Sequence, residues 1–332
     1  MRPVRSMVVL AVAMGLAAGF IDRAAVMRAA PPGGNWPQWR GPQRDGVSTE
    51  TGLRAGWPEG GPPKIWSATG VGGGFSTVSI ADGRIFTMGD RRDGQYVVAL
   101  DEETGKALWA TRVGGPHDRD PQGYTGSRST PTVDGDLLYV VTTDGDVQAL
   151  ESATGRPRWR KSLSSDFGGQ MMSGWGWAES PLVDGSRVIV TPGGRDAAMV
   201  ALDKKTGAGV WRTTIPRIGS AGADGAGYSS IVISNGGGVK QYVQLMGRGV
   251  VSVRAADGWY MWGYNRIANN VANISTPVAI DHYVFASTGY NGGSALLEVS
   301  PAPDGRVTAA PKYFIDAGRF QNHHGGFVVI NG

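Results

Sequence analysis

Apolar and polar residues alternate in short runs along most of this chain, and turns rich in glycine and aspartate separate the runs. The stretch LLYVVTTDGDVQAL, residues 137–150, shows the pattern: an apolar run, a turn built on Asp-Gly, and a second run that ends in Ala-Leu. Short runs of this kind between turn signals predict β-strands, and Asp-Gly turns predict hairpins. Helical periodicity is absent after residue 30, so the pattern predicts an all-β chain.

One segment of eleven residues recurs with a period of about fifty residues. ALDEETGKALW (99–109) returns as ALESATGRPRW (149–159) and ALDKKTGAGVW (201–211), and more weakly as SVRAADGWYMW (252–262). The four closing tryptophans lie 50, 52 and 51 residues apart. A period in this range, with four strands in each repeat, predicts a β-propeller of four-stranded antiparallel blades.

We expect a single propeller domain over residues 31–332. Five blades are predicted near residues 76–113, 129–163, 180–215, 229–267 and 275–315. The final NHHGGFVVING, residues 322–332, resembles the opening of a sixth blade, and KIW at 64–66 resembles an outermost strand without partners of its own. Since an unpaired edge strand is unfavourable, we expect the sequence to be a truncated ring that lacks about two further blades. The alternative is a ring of five blades with a loose tail.

The first thirty residues differ from the remainder. Two arginines precede SMVVLAVAMGLAAGF, an apolar run with the length of a signal-peptide core rather than of a membrane span. We expect an export signal over residues 1–30, with an uncleaved N-terminal anchor as the alternative. The expected location is therefore periplasmic or otherwise extracytoplasmic, with no membrane span in the mature chain.

Charge and cysteine content narrow the function classes. The formal charge of +4 falls to about +1 without residues 1–30, and no lysine or arginine stripe remains to predict nucleic-acid binding. Cysteine is absent, which excludes disulfides, thiolate metal sites, a cysteine nucleophile and an acylated N-terminal cysteine.

The recurring segment is predicted to hold the fold together. Its acidic residue can accept backbone N–H groups in a turn, its glycine can adopt a positive φ, and its tryptophan can pack on the neighbouring blade and donate to a carbonyl there. The acidic position drifts to Glu151 and Arg254, while the tryptophan stays in all four copies. Structural roles are expected for Asp101, Gly105, Trp109, Gly155, Trp159, Asp203, Gly207, Trp211 and Trp262.

These segments, together with NWPQWRGPQRDG (35–46) and GWGWAESPLVDG (174–185), resemble the pyrroloquinoline-quinone-like (PQQ-like) β-propeller repeat family, in particular its exported quinone-binding-like members. The resemblance runs from about residue 35 to the end. It implies a ring of seven or eight blades, and its tryptophan-docking motif matches the recurring tryptophans. Related propellers include quinoprotein alcohol dehydrogenases, where a quinone stacks on tryptophan beside calcium, and an outer-membrane assembly lipoprotein.

The segments that enter the innermost strands converge on the central channel, and they differ from blade to blade. Repeat proteins usually place ligand chemistry at such unrepeated positions. Ligand contacts are expected from Tyr124, Arg128, Trp175, Trp177, Glu179, Tyr228, Asn270, Asn273, Asn322, His323 and His324.

Several of these residues have two interpretations. Trp175 and Trp177 could stack on a planar ligand or cover the edge of the core. Glu179 could bind calcium together with Asn273, or it could form a hydrogen-bonded pair with Arg128.

The neighbouring His323 and His324 would face opposite sides of a strand, so that one of them could reach the channel.

Three functions stay open. The preferred interpretation is a monomeric scaffold that binds a small-molecule ligand or an envelope protein, without catalysis. The resemblance implies two alternatives: a PQQ- and calcium-dependent dehydrogenase of alcohols or sugars, and a partner in outer-membrane protein assembly. The sequence establishes no cofactor and assigns no catalytic residue.

Overall fold

The computed structural model describes residues 34–117 and 123–331, and within them the chain forms five antiparallel sheets of four strands each. The predicted export signal at 1–30 lies outside the described residues. In every sheet the strands are hydrogen-bonded in chain order, so each sheet is a simple meander. The fold class predicted from the repeat, a β-propeller of four-stranded blades, is confirmed.

The first two blades follow the repeat closely. The first contains β1 (Ser79–Ala81), β2 (Arg84–Arg91), β3 (Gly94–Asp101) and β4 (Ala107–Gly114). The second contains β5 (Thr132–Asp134), β6 (Leu137–Val141), β7 (Asp146–Glu151) and β8 (Pro157–Ser162).

The other three blades have the same order. The third contains β9 (Leu182–Asp184), β10 (Arg187–Val190), β11 (Met199–Asp203) and β12 (Gly209–Thr213). The fourth contains β13 (Val232–Ser234), β14 (Gln241–Met246), β15 (Gly249–Arg254) and β16 (Tyr260–Tyr264). The fifth contains β17 (Val278–Ile280), β18 (Tyr283–Thr288), β19 (Gly293–Pro301) and β20 (Val307–Ile315).

Two short helical segments interrupt the all-β pattern. The helix α1 (Leu163–Phe167) begins where the side chain of Ser162 accepts the N–H of Ser165, and it ends at Gly168 with φ +61°. A single 3₁₀ turn covers Gly236–Gly238. Neither is long enough to show a hydrophobic period, which is why the sequence pattern missed both. The described part of the chain holds no helix with the length and hydropathy of a membrane span.

The apolar core lies between neighbouring blades. Val97 of the first blade packs with Leu138 of the second, and the next three interfaces bury clusters of the same kind. Full burial of one such side chain contributes about 1.5–3 kcal/mol, so each interface is a substantial source of stability. The blades therefore stabilise one another and leave the axis to other side chains.

At the outer strands, a tryptophan from one blade covers the turn glycine of the next blade. A Cβ added to Gly155 would lie 2.5 Å from the ring of Trp109, and one added to Gly207 would lie 2.7 Å from that of Trp159. Both glycines have φ +71°, so this position requires glycine for its conformation and for its space.

The same contact joins Trp211 to Gly258, and Trp66 of the KIW segment to Gly105. The KIW segment is not a strand in the structure, yet its tryptophan makes the contact that an outermost strand makes elsewhere.

The indole N–H groups are less uniform than the sequence predicts. Trp109 donates to the carbonyl of Ser152 (3.2 Å) and Trp159 to that of Lys204 (3.0 Å), each on the following blade. The prediction is wrong for Trp262, which donates to Gln241 Oε1 (2.7 Å) in its own blade, because no turn glycine of the fifth blade receives its ring. It is also wrong for Trp211, whose buried N–H meets no acceptor among the described residues.

The acidic residues of the recurring segment close its turn. Asp101 Oδ1 accepts from the backbone N–H (2.9 Å) and the hydroxyl (2.6 Å) of Thr104. Asp203 Oδ1 accepts the same two groups from Thr206, at 2.9 and 2.8 Å. Such bonds hold a strand-ending turn and need no ligand.

Candidate functional site

A ladder of hydroxyl groups joins the five blades around the axis. The backbone N–H of Thr77 donates to Thr130 Oγ1 (3.3 Å), that of Thr130 to Ser180 Oγ (3.0 Å), and so on through Ser230 to Thr276 (2.9 Å at each step). Each blade therefore contributes one hydroxyl to the start of its innermost strand. We call these five residues the hydroxyl ring.

Ser275 lines the cavity and donates to Asn322 (3.1 Å), whereas in the other four blades the residue before the ring hydroxyl bonds the backbone of its own blade. This position is serine in four blades, and its hydroxyl accepts a backbone N–H from the second strand in three of them, as from Met88 (3.1 Å). In the third blade the position is Glu179, whose Oε1 accepts the N–H of Thr191 (2.5 Å). Glu179 thus accepts the same kind of backbone hydrogen bond as the serines, and it also places a carboxyl group inside the blade.

The segment 36–46, here called the axial segment, crosses the axis and contacts four blades. Trp36 forms an isolated antiparallel bridge to Ile80 of β1, and the carbonyl of Pro37 accepts the N–H of Val133 (2.7 Å). Arg44 lies fully inside, where its guanidinium donates to the carbonyls of Ser180 (3.1 Å) and Ile231 (2.9 Å) and to that of Pro181.

Arg44 and Glu179 form a buried electrostatic pair. Burial raises the pKa of the Glu179 carboxyl to about 7, and the charge of Arg44 opposes the rise. Burial also lowers the pKa of Arg44 to about 9, against the effect of Glu179. At neutral pH the guanidinium is charged while the carboxyl is near its titration point, so the pair carries a net positive charge.

A cavity of about 560 Å³ opens at the axis beside the hydroxyl ring. Six of its lining side chains are aromatic, and the axial segment and all five blades contribute to it. Arg128 is the one lining side chain with a permanent charge among the described residues, and no carboxylate lines the cavity there. The aromatic rings are those of Trp39, Phe75, Tyr124, Trp175, Tyr228 and Tyr290.

The cavity wall is held by contacts between blades. The Trp175 and Tyr228 rings meet edge to face at 5.8 Å. Ser173 Oγ donates to the carbonyl of Val271 (2.6 Å), so the hydroxyl of Tyr228 is the donor in its 2.7 Å bond to Ser173. Across the cavity, the guanidinium of Arg128 lies 5.7 Å from the centre of the Phe75 ring.

His323 and His324 both line the cavity, contrary to the expectation that a strand would turn them to opposite sides. Residues 316–331 contain no strand, and the two rings stack at 3.8 Å. His323 also meets Tyr290 edge to face at 4.5 Å. Burial and the neighbouring His324 lower the pKa of His323, so its ring is neutral at pH 7.

The structure separates the two tryptophans of the third blade. Gly176 has φ +74°, which turns Trp175 into the cavity while Trp177 enters the core between the second and third blades. A Cβ on Gly145 would lie 2.7 Å from the Trp177 ring. Trp177 is therefore a core residue and does not line the cavity.

Glu179 does not pair with Arg128. Its Oε1 accepts from Thr191, its Oε2 is buried and meets no hydrogen-bond donor in the described chain, and Arg44 is the cation that acts on it. Arg128 instead donates to the carbonyls of Gly126 (3.2 Å) and Tyr124.

The calcium that the family resemblance implies does not fit Asn273. Its Oδ1 accepts from both the N–H (3.1 Å) and the side-chain amide (2.9 Å) of Asn269, and its Nδ2 donates to the carbonyls of Met246 and Gly247 (2.9 Å each). An amide oxygen with two donors has no lone pair for a metal. The described residues also contain no cluster of three metal-ligating side chains.

The last two candidates lie at the margin of the site. Asn270 is exposed and does not line the cavity. Asn322 accepts from the hydroxyl of Ser275 (3.1 Å), and its own N–H donates to Ser287 (3.0 Å), so it anchors the segment that carries the histidines.

Sequence reasoning missed Trp39, Phe75, Tyr290, Arg44 and the hydroxyl ring. A signal for the ring is present, since its members are 53, 50, 50 and 46 residues apart, close to the period of the tryptophans. The axial segment gives no comparable signal, because Arg44 contacts residues 136 and 187 positions away.

Comparison with known proteins gives the family. The model described as "Outer membrane protein assembly factor BamB" matches residues 93–329. The outer membrane protein assembly factor BamB of Moranella endobia is 30% identical over 261 residues, which cover 72% of this chain and 60% of that protein. The serine/threonine-protein kinase AfsK of Streptomyces griseus is 31% identical over 171 residues, which cover 50% of this chain and 19% of the kinase.

A solved structure shares the fold. The quinohemoprotein alcohol dehydrogenase of Comamonas testosteroni aligns with a TM-score of 0.53 at 16% identity, over 86% of this chain and 48% of the enzyme. This chain therefore spans only part of each of these relatives. Because the family model covers most of the described residues, the chain belongs to the BamB-like family of PQQ-like β-propeller repeat proteins.

Proposed function

We propose that this chain is an extracytoplasmic scaffold that binds a ligand in its axial cavity and does not itself carry out catalysis. The observation that carries the proposal is the contrast between a repeated frame and a cavity lined by unrepeated side chains from all five blades. A concave, mainly apolar cavity with aromatic side chains and a few polar groups has the usual character of a small-ligand site. Its volume of about 560 Å³ is in the range of such sites.

Calorimetric titration with 2-naphthylacetate and its neutral analogue 2-naphthylacetamide tests this proposal. Both probes present a planar apolar body, and we expect one site per chain. Replacing Trp175 by alanine should weaken both probes about tenfold, because an aromatic contact of the wall is lost. The matched control is Trp57→Ala, which removes an exposed tryptophan outside the cavity and should leave both affinities unchanged. Absence of binding to the wild type, or equal affinities for the wild type and Trp175→Ala, would overturn the proposal.

A second candidate function is participation in outer-membrane protein assembly. The description of the family model and the name of the Moranella relative favour it. An affinity-tagged chain purified from the envelope of its own host should then retain outer-membrane assembly proteins at stoichiometric amounts. Recovery of the tagged chain alone, or in the cytoplasmic fraction, would contradict this function and the extracytoplasmic location.

Quinone-dependent alcohol oxidation gains no support from the site. The aromatic walls suit a planar ligand, but the two predicted calcium ligands are engaged elsewhere: Asn273 is saturated, and Glu179 is turned into the blade.

A further inference from the structure

The hydroxyls at the cavity floor are oriented by the fold to donate hydrogen bonds. Ser180, Ser230 and Thr276 of the hydroxyl ring line the cavity and are each at least nine-tenths buried. Each hydroxyl oxygen accepts the backbone N–H of the preceding blade, at 2.9–3.0 Å. A hydroxyl has one hydrogen, and among the described residues no acceptor takes the hydrogen of these three.

Two guanidinium groups, those of Arg44 and Arg128, lie near the floor. Arg44 donates to the carbonyl of Ser180 from both Nη atoms (3.1 Å), so its guanidinium lies directly behind this part of the floor. Arg128 lines the cavity itself, and no acidic side chain among the described residues does. Glu179, the carboxyl whose charge acts on Arg44, faces into the blade and bonds Thr191. The nearness of the Arg44 guanidinium favours an anion at this part of the floor.

From this placement we propose that the floor of the axial cavity is a carboxylate-binding subsite in which Ser180, Ser230 and Thr276 donate their hydroxyl hydrogens. The aromatic walls then hold the apolar body of the same ligand, which makes the ligand class an aromatic carboxylate. Such a group could belong to a small aromatic acid or to the C-terminus of a peptide ending in an aromatic residue. This inference rests on the proposed function, since it names the ligand class of the same cavity.

The acid and amide probes test the subsite because they differ only in the head group. A hydrogen bond to a charged group is worth more than one to a neutral group, so the acid should bind at least about tenfold more tightly than the amide at pH 7.5. Thr276→Val should reduce that preference about tenfold. Ser230→Ala should act in the same direction and provides a second variant if the first does not fold.

Thr130→Val is the matched control. Thr130 accepts the same type of ring hydrogen bond, from the N–H of Thr77, and its hydroxyl also bonds that of Thr77 (2.7 Å), but it does not line the cavity. Its substitution should leave the acid-to-amide ratio unchanged. If Thr130→Val and Thr276→Val change the ratio equally, loosening of the ring explains the effect and the subsite is wrong.

The other outcomes separate the two proposals. If acid and amide bind with equal affinity, the cavity binds ligands but the carboxylate subsite is wrong. If neither binds, the proposed function is wrong, and the subsite with it. A ¹³C-carboxyl-labelled acid gives an independent readout, since hydroxyl donors should lower the pKa of the bound carboxyl below its value in free solution. An unchanged or raised pKa would contradict the proposal.

N-acetyl-L-tryptophan and a tripeptide ending in tryptophan distinguish the two sources of the carboxylate. Tighter binding of the tripeptide would identify a peptide C-terminus, and tighter binding of 2-naphthylacetate would identify a small acid. Failure of all three carboxylates to exceed their amides would overturn the subsite.

Discussion

The outer rim and the axis of this propeller carry the same repeat of about fifty residues but use it differently. At the rim, Trp109 and Trp159 each cover a turn glycine of the next blade, and their neighbours drift in charge without effect on that contact. At the axis, the ring hydroxyl is retained in every blade, while the side chain two positions before it changes from Arg128 to Ala178 to Tyr228. Repetition therefore marks the joints and the cavity floor, and loss of repetition marks the cavity walls.

The third blade is an exception to this contrast between rim and axis, because it departs from the repeat at the position before its ring hydroxyl. Four blades place serine before the ring hydroxyl, and the third places Glu179 there. Its carboxylate is buried beside Arg44 of the axial segment. The axis thus contains one residue that is unrepeated yet structural, and stability measurements can separate it from the ligand contacts.

The largest effect is expected from Arg44→Met. This change removes the cation that donates to three backbone carbonyls and leaves Glu179 buried without its counter-charge. Because three buried carbonyls lose their donor and Glu179 loses its counter-charge, the free energy of unfolding at pH 8 should fall by about 3–5 kcal/mol. Adding Glu179→Gln should restore part of the loss in a double-mutant cycle. If the two changes are additive, the residues do not act as a pair.

Trp159→Ala tests the rim. Removal of this ring empties the space over Gly207 and breaks the bond to Lys204. We expect a loss of about 3 kcal/mol and a Tm lower by roughly 5–10 °C, measured by circular dichroism. The control is Trp259→Ala, which removes an exposed tryptophan and should leave Tm unchanged. An equal decrease in Tm for both variants would mean that the rim tryptophan stabilises the fold no more than an exposed tryptophan does.

Glu179→Gln should change the pH dependence of stability. Burial raises the pKa of this carboxyl from 4.5 to about 7 in the folded state, so the folded protein keeps a proton that the unfolded chain releases between these values. The stabilising effect of that proton is complete below about pH 4.5 and is lost as pH rises through about 7.

Relative to the wild type, Glu179→Gln should therefore be about 2–3 kcal/mol more stable at pH 8 and equal near pH 4.5. Denaturant unfolding across this pH range measures the difference. Glu103→Gln, at an exposed turn position, serves as the control and should show no such trend. A constant offset for Glu179→Gln at every pH would mean that the carboxyl does not titrate in this range.

The smallest effect separates two rim joints. Trp159→Phe loses an indole hydrogen bond, whereas the N–H of Trp211 has no acceptor among the described residues. Unfolding by denaturant should show Trp159→Phe about 1 kcal/mol less stable than Trp211→Phe. Equal values would mean that the bond to Lys204 contributes nothing to the joint.

The propeller architecture can be predicted from the sequence because each blade is formed by residues that are close together in the chain. The turn of Asp101 and the period of the tryptophans are readable within one repeat, and the face on which unrepeated residues gather follows from the meander. Tyr124, Tyr228 and His323 were predicted near the channel on that basis, and they line the cavity.

The rest of the site depends on contacts that no local pattern encodes. The positive φ of Gly176 decides that Trp175 enters the cavity and Trp177 the core. The position of Arg44 depends on a segment that crosses four blades. The structural role of Glu179 can be predicted from the sequence, because alignment of the repeats shows that it replaces a serine that bonds the blade backbone.

The central claim is that ligands bind at the axis and not at the rim joints, and one calorimetric comparison tests it most directly. The affinity of 2-naphthylacetate is measured for the wild type, for Trp175→Ala in the cavity and for Trp159→Phe at the rim. The account predicts that Trp175→Ala weakens binding about tenfold, while Trp159→Phe, although less stable, binds as the wild type does. Equal affinities for the two variants, or no binding to the wild type, would contradict it.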